Sequence, residues 1–215
     1  MSQRIIITGA TGMVGEGVLL TCLAQPDVEA VLSISRKPSG HTHPKLRELL
    51  VKDFFDLSGI ESELAGYTAC FFCAGISSVG MKEAEYTHIT HDLTLYFART
   101  LLRYSPQATF VYVSGSGTSA DSRQMWARVK GHTENELLAL PFGRVAAFRP
   151  GVMLPVPGQR HDSYRAITWL AKWLRPALPR FICTMREVAL AMLNTARHGA
   201  PKPVLEVPDI VQLAR

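Results

Sequence analysis

Arg4-Ile5-Ile6-Ile7-Thr8-Gly9-Ala10-Thr11-Gly12-Met13-Val14-Gly15 begins as a β-branched run, breaks into three glycines spaced three apart, and continues with helical apolar spacing to residue 25. That is strand, tight turn, helix. Each glycine has a physical task in such a unit: a sharp exit from the strand, close approach of backbone to a bound pyrophosphate, and close packing of helix on sheet. The helix start presents unpaired N–H groups and the positive end of its dipole, which stabilise a phosphate without any basic side chain. The glycine spacing alone is a weak signal; following a strand and opening a helix at the head of the chain makes it a strong one.

Working outward, strands and helices alternate. Pro26-Asp27 stops the first helix. Strands are expected at 30–35 and 49–52, with a loop at 36–44 between them and a brief helix at 57–64. The run Ala69-Cys70-Phe71-Phe72-Cys73, closed by Ala74-Gly75, reads as a strand buried on both faces. Residues 82–103 hold no Gly or Pro and predict one long helix; strands at 109–113 and 144–148 flank a helix at 124–140. This alternation implies right-handed crossovers and an α/β, doubly wound, mostly parallel Rossmann sheet of six or seven strands with helices on both faces. A single NAD(P)-binding domain over 1–215 is expected, with residues 152–183, rich in proline, as a small C-terminal cap on the substrate side. Thr184 predicts the cap of a helix over 185–197; an edge strand at 204–207 and a short helix at 209–214 complete the chain.

Composition narrows the function classes. The 215 residues are 47% hydrophobic and 19% charged, enough for one substantial core. No apolar run approaches the roughly 18 residues of a membrane span, and the start shows no signal-peptide pattern, so no integral membrane segment is expected and the reading is cytoplasmic. The four cysteines, Cys22, Cys70, Cys73 and Cys183, lie in core segments and suggest no disulfide framework. The net charge of +5 is dispersed, with no basic block longer than Arg36-Lys37, so no nucleic-acid partner is expected.

Where an NAD site carries an acid to accept the ribose 2′-hydroxyl, the second strand here ends Ser33-Ile34-Ser35-Arg36-Lys37. A guanidinium there suits a 2′-phosphate, so NADP is favoured over NAD as cofactor. A solvated Arg36–Lys37 pair is the bland alternative.

The glycine run, Asp53 after the third strand, Cys73-Ala74-Gly75 after the fourth and Phe148-Arg149-Pro150-Gly151 after the sixth together resemble the extended and atypical short-chain dehydrogenase/reductases. The likeness covers nearly the whole chain. It is greatest to small atypical members, the Tat-interacting reductase-like proteins and chains labelled NAD-dependent epimerase/dehydratase. The resemblance implies that Gly9, Thr11, Gly12, Met13 and Val14 surround the pyrophosphate, Arg36 with Lys37 the 2′-phosphate, and Asp53 with Phe54 the adenine edge. It further implies Cys73, Ala74 and Gly75 at the adenine ribose, Ser114 near the nicotinamide, Lys130 on the nicotinamide ribose, and Pro150 and Val152 in the nicotinamide pocket. It also makes the helices over 82–103 and 124–140 a candidate homodimer face.

The family's proton chemistry uses a Tyr-x-x-x-Lys pair, in which the lysine lowers the phenol pKa. Here the stretch is Trp126-Ala127-Arg128-Val129-Lys130, and an indole N–H can donate but cannot serve as acid and base. The carbonyl-polarising serine falls near Ser114-Gly115-Ser116, with Gly115 in its aligned place and Ser116 able to substitute if the turn is shifted. The catalytic candidates are therefore Lys130, Ser114 and Ser116. Two functions stay open: an NADP(H)-dependent oxidoreductase or epimerase-like enzyme on a small-molecule substrate, and a non-catalytic module that senses dinucleotide state through a protein partner.

Weaker signals have plainer readings. Cys70-x-x-Cys73 on a strand points its thiols to opposite faces, so core packing is expected and no metal site. His88 and His91, three apart on a helix, read as a solvated or satisfied pair. The segment 167–174, with Trp169, Lys172 and Trp173, could be a membrane-surface or dimer helix or pack over the substrate pocket, and His161 and Tyr164 could supply a displaced proton donor.

Overall fold

Seven strands form one parallel sheet in the computed structural model, which describes residues 2–160 and 173–215. In chain order the first six are β1 (Gln3–Thr8), β2 (Val28–Ser35), β3 (Leu46–Leu50), β4 (Ala69–Phe72), β5 (Thr109–Val113) and β6 (Arg144–Arg149). Two short strands, β7 (Val152–Leu154) and β8 (Ile182–Thr184), precede β9 (Val204–Glu206). The order across the large sheet is β3-β2-β1-β4-β5-β6-β9. β1 therefore has β2 on one side and β4 on the other, and the connections leaving β1 and β4 diverge to opposite faces. A cleft opens where they part, at the carboxyl ends of the strands.

Alternation along each strand divides the interior in two. Ile5 and Ile7 join Val18 and Leu19 of α1 (Met13–Leu23) and Val188 and Met192 of α5 (Met185–His198) in one core. Ile6 faces the other core, with Phe72, Phe110, and Phe97 and Leu101 of α3 (Leu93–Tyr104). Residues 69–72 are buried without exception, as a strand covered on both faces must be. Fully burying each such side chain contributes about 1.5–3 kcal/mol.

Several expectations shift. β3 lies at Leu46–Leu50 rather than 49–52, because its register runs from Val31 opposite Leu46 to Ser35 opposite Leu50. The helix expected at 57–64 contracts to one 3₁₀ turn, Glu61–Leu64. The long helix is three pieces: α2 (Glu83–Thr87), a wider π turn at His88–Asp92, and α3. α4 (Met125–Leu138) and α6 (Val207–Leu213) fall close to their expected ranges. Thr184 caps α5 reciprocally with Glu187, its hydroxyl accepting from the Glu187 N–H while that carboxylate accepts from the Thr184 N–H. The parallel pair β7–β8 was not legible, since its three-residue strands are separated by the proline-rich segment. Of the segment 167–174, only Trp173 and Leu174 belong to the described residues, and His161, Tyr164, Trp169 and Lys172 lie outside them.

Candidate cofactor cleft and active site

Gly9 leaves β1 at φ +72°, in the left-handed region, and a Cβ there would stand 2.7 Å from the backbone N of Ala74. Only a residue without a side chain lets the turn approach β4 so closely. The Thr8 hydroxyl accepts a hydrogen bond from the Ala74 N–H at 3.2 Å, tying the two strand ends together. The Gly12 N–H donates to the Gly9 carbonyl at 2.9 Å, and Gly12 is the N-cap of α1, so the first turn of that helix opens into the cleft.

A cavity of about 480 Å³ fills this cleft. Gly9, Thr11 and Gly12 line it at the helix start, Arg36 and the Asp53–Phe54 pair at the β2–β3 side, and Cys73, Ala74 and Gly75 at the end of β4. Nine residues singled out from the sequence thus meet around one space of ligand-binding size. Ser35, Lys52, Phe55, Ile76, His88, Ile89 and Leu93 also line it, and sequence reasoning missed all seven. His88 stacks on Phe55, rings 4.4 Å apart and 8° from parallel. The π turn carries His88 and Ile89, and a single unbroken helix was expected there, so their place in the wall had no sequence signal.

Other expected residues lie beside this cavity rather than in its wall. Met13 and Val14 form the first turn of α1, with Val14 packed against the core and the Met13 carbonyl accepting from the Gln159 amide at 2.7 Å. Lys37 is exposed, and its carbonyl accepts from the Ser35 hydroxyl at 2.6 Å. Ser114, Ser116, Lys130, Pro150 and Val152 cluster beyond the ends of β5 and β6. The Ser114 N–H donates to the Phe148 carbonyl at 2.7 Å, the Ser116 N–H to the Pro150 carbonyl at 3.1 Å, and the Val152 N–H to the Phe181 carbonyl at 2.8 Å.

At this second end the hydrogen bonds decide what each group can offer. Thr118 gives its single hydroxyl proton to the Gly115 carbonyl at 2.8 Å, so Ser114, 3.0 Å away, donates to the Thr118 oxygen. The Ser114 proton is engaged and its oxygen is left as an acceptor. Lys130 donates to the Tyr112 hydroxyl at 3.2 Å and the Val113 carbonyl at 3.3 Å, leaving its third proton. Burial pushes the Lys130 ammonium down to about 8, with Glu134 opposing. Burial pushes the Cys73 thiol up to about 12, so it is no nucleophile at neutral pH. The indole of Trp126 covers the turn that carries Ser114, with ring atoms 3.6 and 3.8 Å from where Cβ atoms would stand on Gly115 and Gly117.

The remaining signals resolve simply. Cys70 is buried in one core and Cys73 packs against the other, so the two thiols point to opposite faces. His91 bonds Asp92 and Glu136, each at 2.8 Å. The pair is a satisfied one, and Glu136 arrives from α4, a meeting with no signal in the sequence. No group of three or more metal-ligating side chains occurs among the described residues, and none of their helices is long and apolar enough to cross a membrane.

Known proteins carry the same architecture. The chain is similar to uronate dehydrogenase from Agrobacterium tumefaciens (TM-score 0.67, 18% identity, covering 95% of this chain and 76% of that one). It is also similar to the Bordetella bronchiseptica enzyme WbmF, solved with NAD+ (TM-score 0.69, 15% identity, 98% and 77%). Among sequence relatives, protein fmp52, mitochondrial, is 33% identical in Aspergillus clavatus over 74% of this chain and 69% of that protein, and 29% identical in Emericella nidulans over 86% and 79%. These names overturn the cytoplasmic expectation: the relatives are mitochondrial proteins, and a composition without disulfides suits any reducing compartment. The profile of the NAD dependent epimerase/dehydratase family matches residues 5–143, and the chain belongs to that family.

Proposed function

We propose that this protein is an NADP(H)-dependent oxidoreductase or epimerase-like enzyme acting on a small-molecule substrate. The observation that carries the reading is the cavity in which the glycine turn, Arg36, the Asp53–Phe54 pair and the Cys73–Gly75 segment meet. Its volume and the close approach allowed at Gly9 suit the adenosine and pyrophosphate part of a dinucleotide. Arg36 pairs with the 2′-phosphate, Lys37 adds charge beside it, and Asp53 with Phe54 holds the adenine edge. Met13 and Val14 present their backbone to the pyrophosphate, as Gly12 does.

When bound, the nicotinamide supplies or accepts hydride. Lys130 turns its third proton to the nicotinamide ribose, Pro150 and Val152 wall the ring, and Ser114 accepts a hydrogen bond from the substrate, with Ser116 next to it. Residues 152–183 act as the cap that selects the substrate. The protein is mitochondrial, as its relatives are named, and a homodimer forms through the helical segments 82–103 and 124–140, as the family resemblance implies.

The titration of the full chain with NADPH and NADH, repeated on Arg36→Ala, tests the reading. NADPH binds tighter than NADH in the parent, and Arg36→Ala weakens NADPH about ten-fold or more while sparing NADH. Failure of both dinucleotides to bind overturns it.

The second reading, a dinucleotide-sensing module acting through a protein partner, is favoured by Trp126 in the tyrosine position and by the engaged Ser114 proton. Trp126→Tyr separates the two. Carbonyl reduction by NADPH that rises in this variant supports a catalytic framework, and none in either protein supports the sensor.

A further inference from the structure

From the end of β7 the chain turns back toward the cofactor cleft and is pinned there by a set of bonds with no counterpart in the sequence motifs. The Gln159 side chain accepts from the Val156 N–H at 2.8 Å and donates to the Met13 carbonyl at 2.7 Å, fixing the turn at 156–159 on the first turn of α1. The Arg160 N–H donates to both carboxylate oxygens of Glu16, at 3.0 and 3.1 Å, and the His41 ring nitrogen lies 2.8 Å from the same group. Glu16 is 2% exposed. A buried carboxylate one turn inside a phosphate-binding helix would repel the ligand, and these donors offset its charge.

The backbone of Arg160 is thereby held against α1, and its side chain extends across to the loop that follows Arg36. There the guanidinium donates to the Gly40 carbonyl. Gly40 has φ +76°, and a Cβ on it would stand 1.9 Å from a guanidinium nitrogen of Arg160. The positive φ favours glycine there, and a side chain in its place would push the end of Arg160 aside. Among the described residues no carboxylate pairs with this exposed guanidinium, and a carbonyl accepts one of its five protons. Four positions before Gly40, on the same loop, Arg36 lines the cofactor cavity.

We infer that Arg160, seated on Gly40, is a further cation of the 2′-phosphate site that holds Arg36 and Lys37, so that the strap at 155–160 sets the preference between the two dinucleotides. The inference rests on the proposed dinucleotide cleft and deepens it. A guanidinium carried by this loop and a second bonded to it suit a dianionic phosphate monoester, which accepts several charge-assisted hydrogen bonds, and give nothing to a neutral 2′-hydroxyl.

The experiment is a titration of the full chain with NADPH and with NADH in the parent, Arg160→Ala, Arg36→Ala and the double variant, with thermal melts confirming that each is folded. Arg160→Ala weakens NADPH about ten-fold while NADH stays within about two-fold, and the double variant binds the two alike. Gly40→Ala, which displaces the guanidinium, shifts the same ratio in the same direction, and Arg160→Lys recovers part of it. If Arg160→Ala weakens both dinucleotides equally, or neither, while Arg36→Ala stays selective for NADPH, Arg160 only fastens the strap and the inference is wrong. If the parent binds neither dinucleotide, the cleft reading fails first and takes this one with it.

Discussion

Lys130 sits with its ammonium nitrogen 3.2 Å from the hydroxyl of Tyr112 and 5.0 Å from the centre of that ring. Tyr112 is a buried strand residue, 1% exposed, and burial raises its own pKa, so it stays neutral and acts only as a polar rest for the amine. The cation is held by a carbonyl, a phenol and a π face, with Glu134 as the attractive charge acting on it.

That setting fixes how Lys130 responds to pH. Its folded pKa is lowered to about 8, below the roughly 10.4 of an unfolded lysine. Between these values the unfolded chain carries a proton the folded chain has shed, so stability rises with pH in this window; below about 8 both forms are charged and the full cost of the buried ammonium is present. Melting the parent and Lys130→Met from pH 7 to 10 shows the parent gaining on the variant above pH 8. A gap that stays constant across that range refutes the assignment.

Gly9→Ala combines a left-handed backbone with a Cβ set 2.7 Å from the Ala74 nitrogen. The contact is with backbone just past the end of β4, which cannot swing aside as a side chain would. We expect destabilisation of about 2 kcal/mol or more, read by denaturant unfolding, together with loss of NADPH binding. Near-native stability and affinity would show that the turn can relax.

Arg149 joins three elements: its guanidinium bonds Glu134 on α4 and, at 3.1 Å, Glu206 on β9. Glu134 is 2% exposed, so Arg149→Met leaves a buried carboxylate without its partner and costs about 3 kcal/mol. Adding Glu134→Leu to that variant recovers most of the loss in chemical denaturation. Additive losses in the double variant would mean that packing, rather than the unpaired charge, sets the cost.

His91 bonds Asp92 within the π turn and links the turn to α4 through Glu136. Burial opposes its charge, but the hydrogen bonds to both carboxylates outweigh that, and the imidazolium pKa is raised. Its contribution is therefore complete below about pH 6.5, the unfolded value, and is lost as pH rises through the folded one. His91→Ala lowers the melting temperature by a few degrees at pH 6 and by less at pH 8.5, in keeping with a partly exposed pair worth about 1 kcal/mol. Equal losses at the two pH values would assign His91 a packing role alone.

Much of the fold was written locally. β-branched runs, the breaks at Gly9 and Pro26, and the buried run at 69–72 identify strands and turns because backbone preference and burial act over a few residues. The same holds for the Thr184 cap, whose partner Glu187 lies three positions on. The glycine turn was legible for a related reason: a close backbone approach has one chemical solution, and glycine is visible in any sequence. Arg36 could be read because the end of β2 fixes where it stands.

Tertiary structure decided everything that depends on distant segments meeting. The place of β3 followed from its register on β2, and the pairing of β7 with β8 from two short strands about thirty residues apart. The π turn, which carries His88 to Phe55 in the cofactor wall, reverses no local propensity and so leaves no mark in the sequence. The hydroxyl order at Thr118 and Ser114, the seat of Lys130 on Tyr112 and the reach of Arg160 to Gly40 all depend on side chains from separate elements. The sequence by itself determined that a strand, a glycine turn and a helix would follow one another at the cleft, because those are short-range consequences of backbone chemistry. Which side chains gather around that turn, and which of their protons are already engaged, was decided only when chain segments far apart in sequence were packed within hydrogen-bond reach.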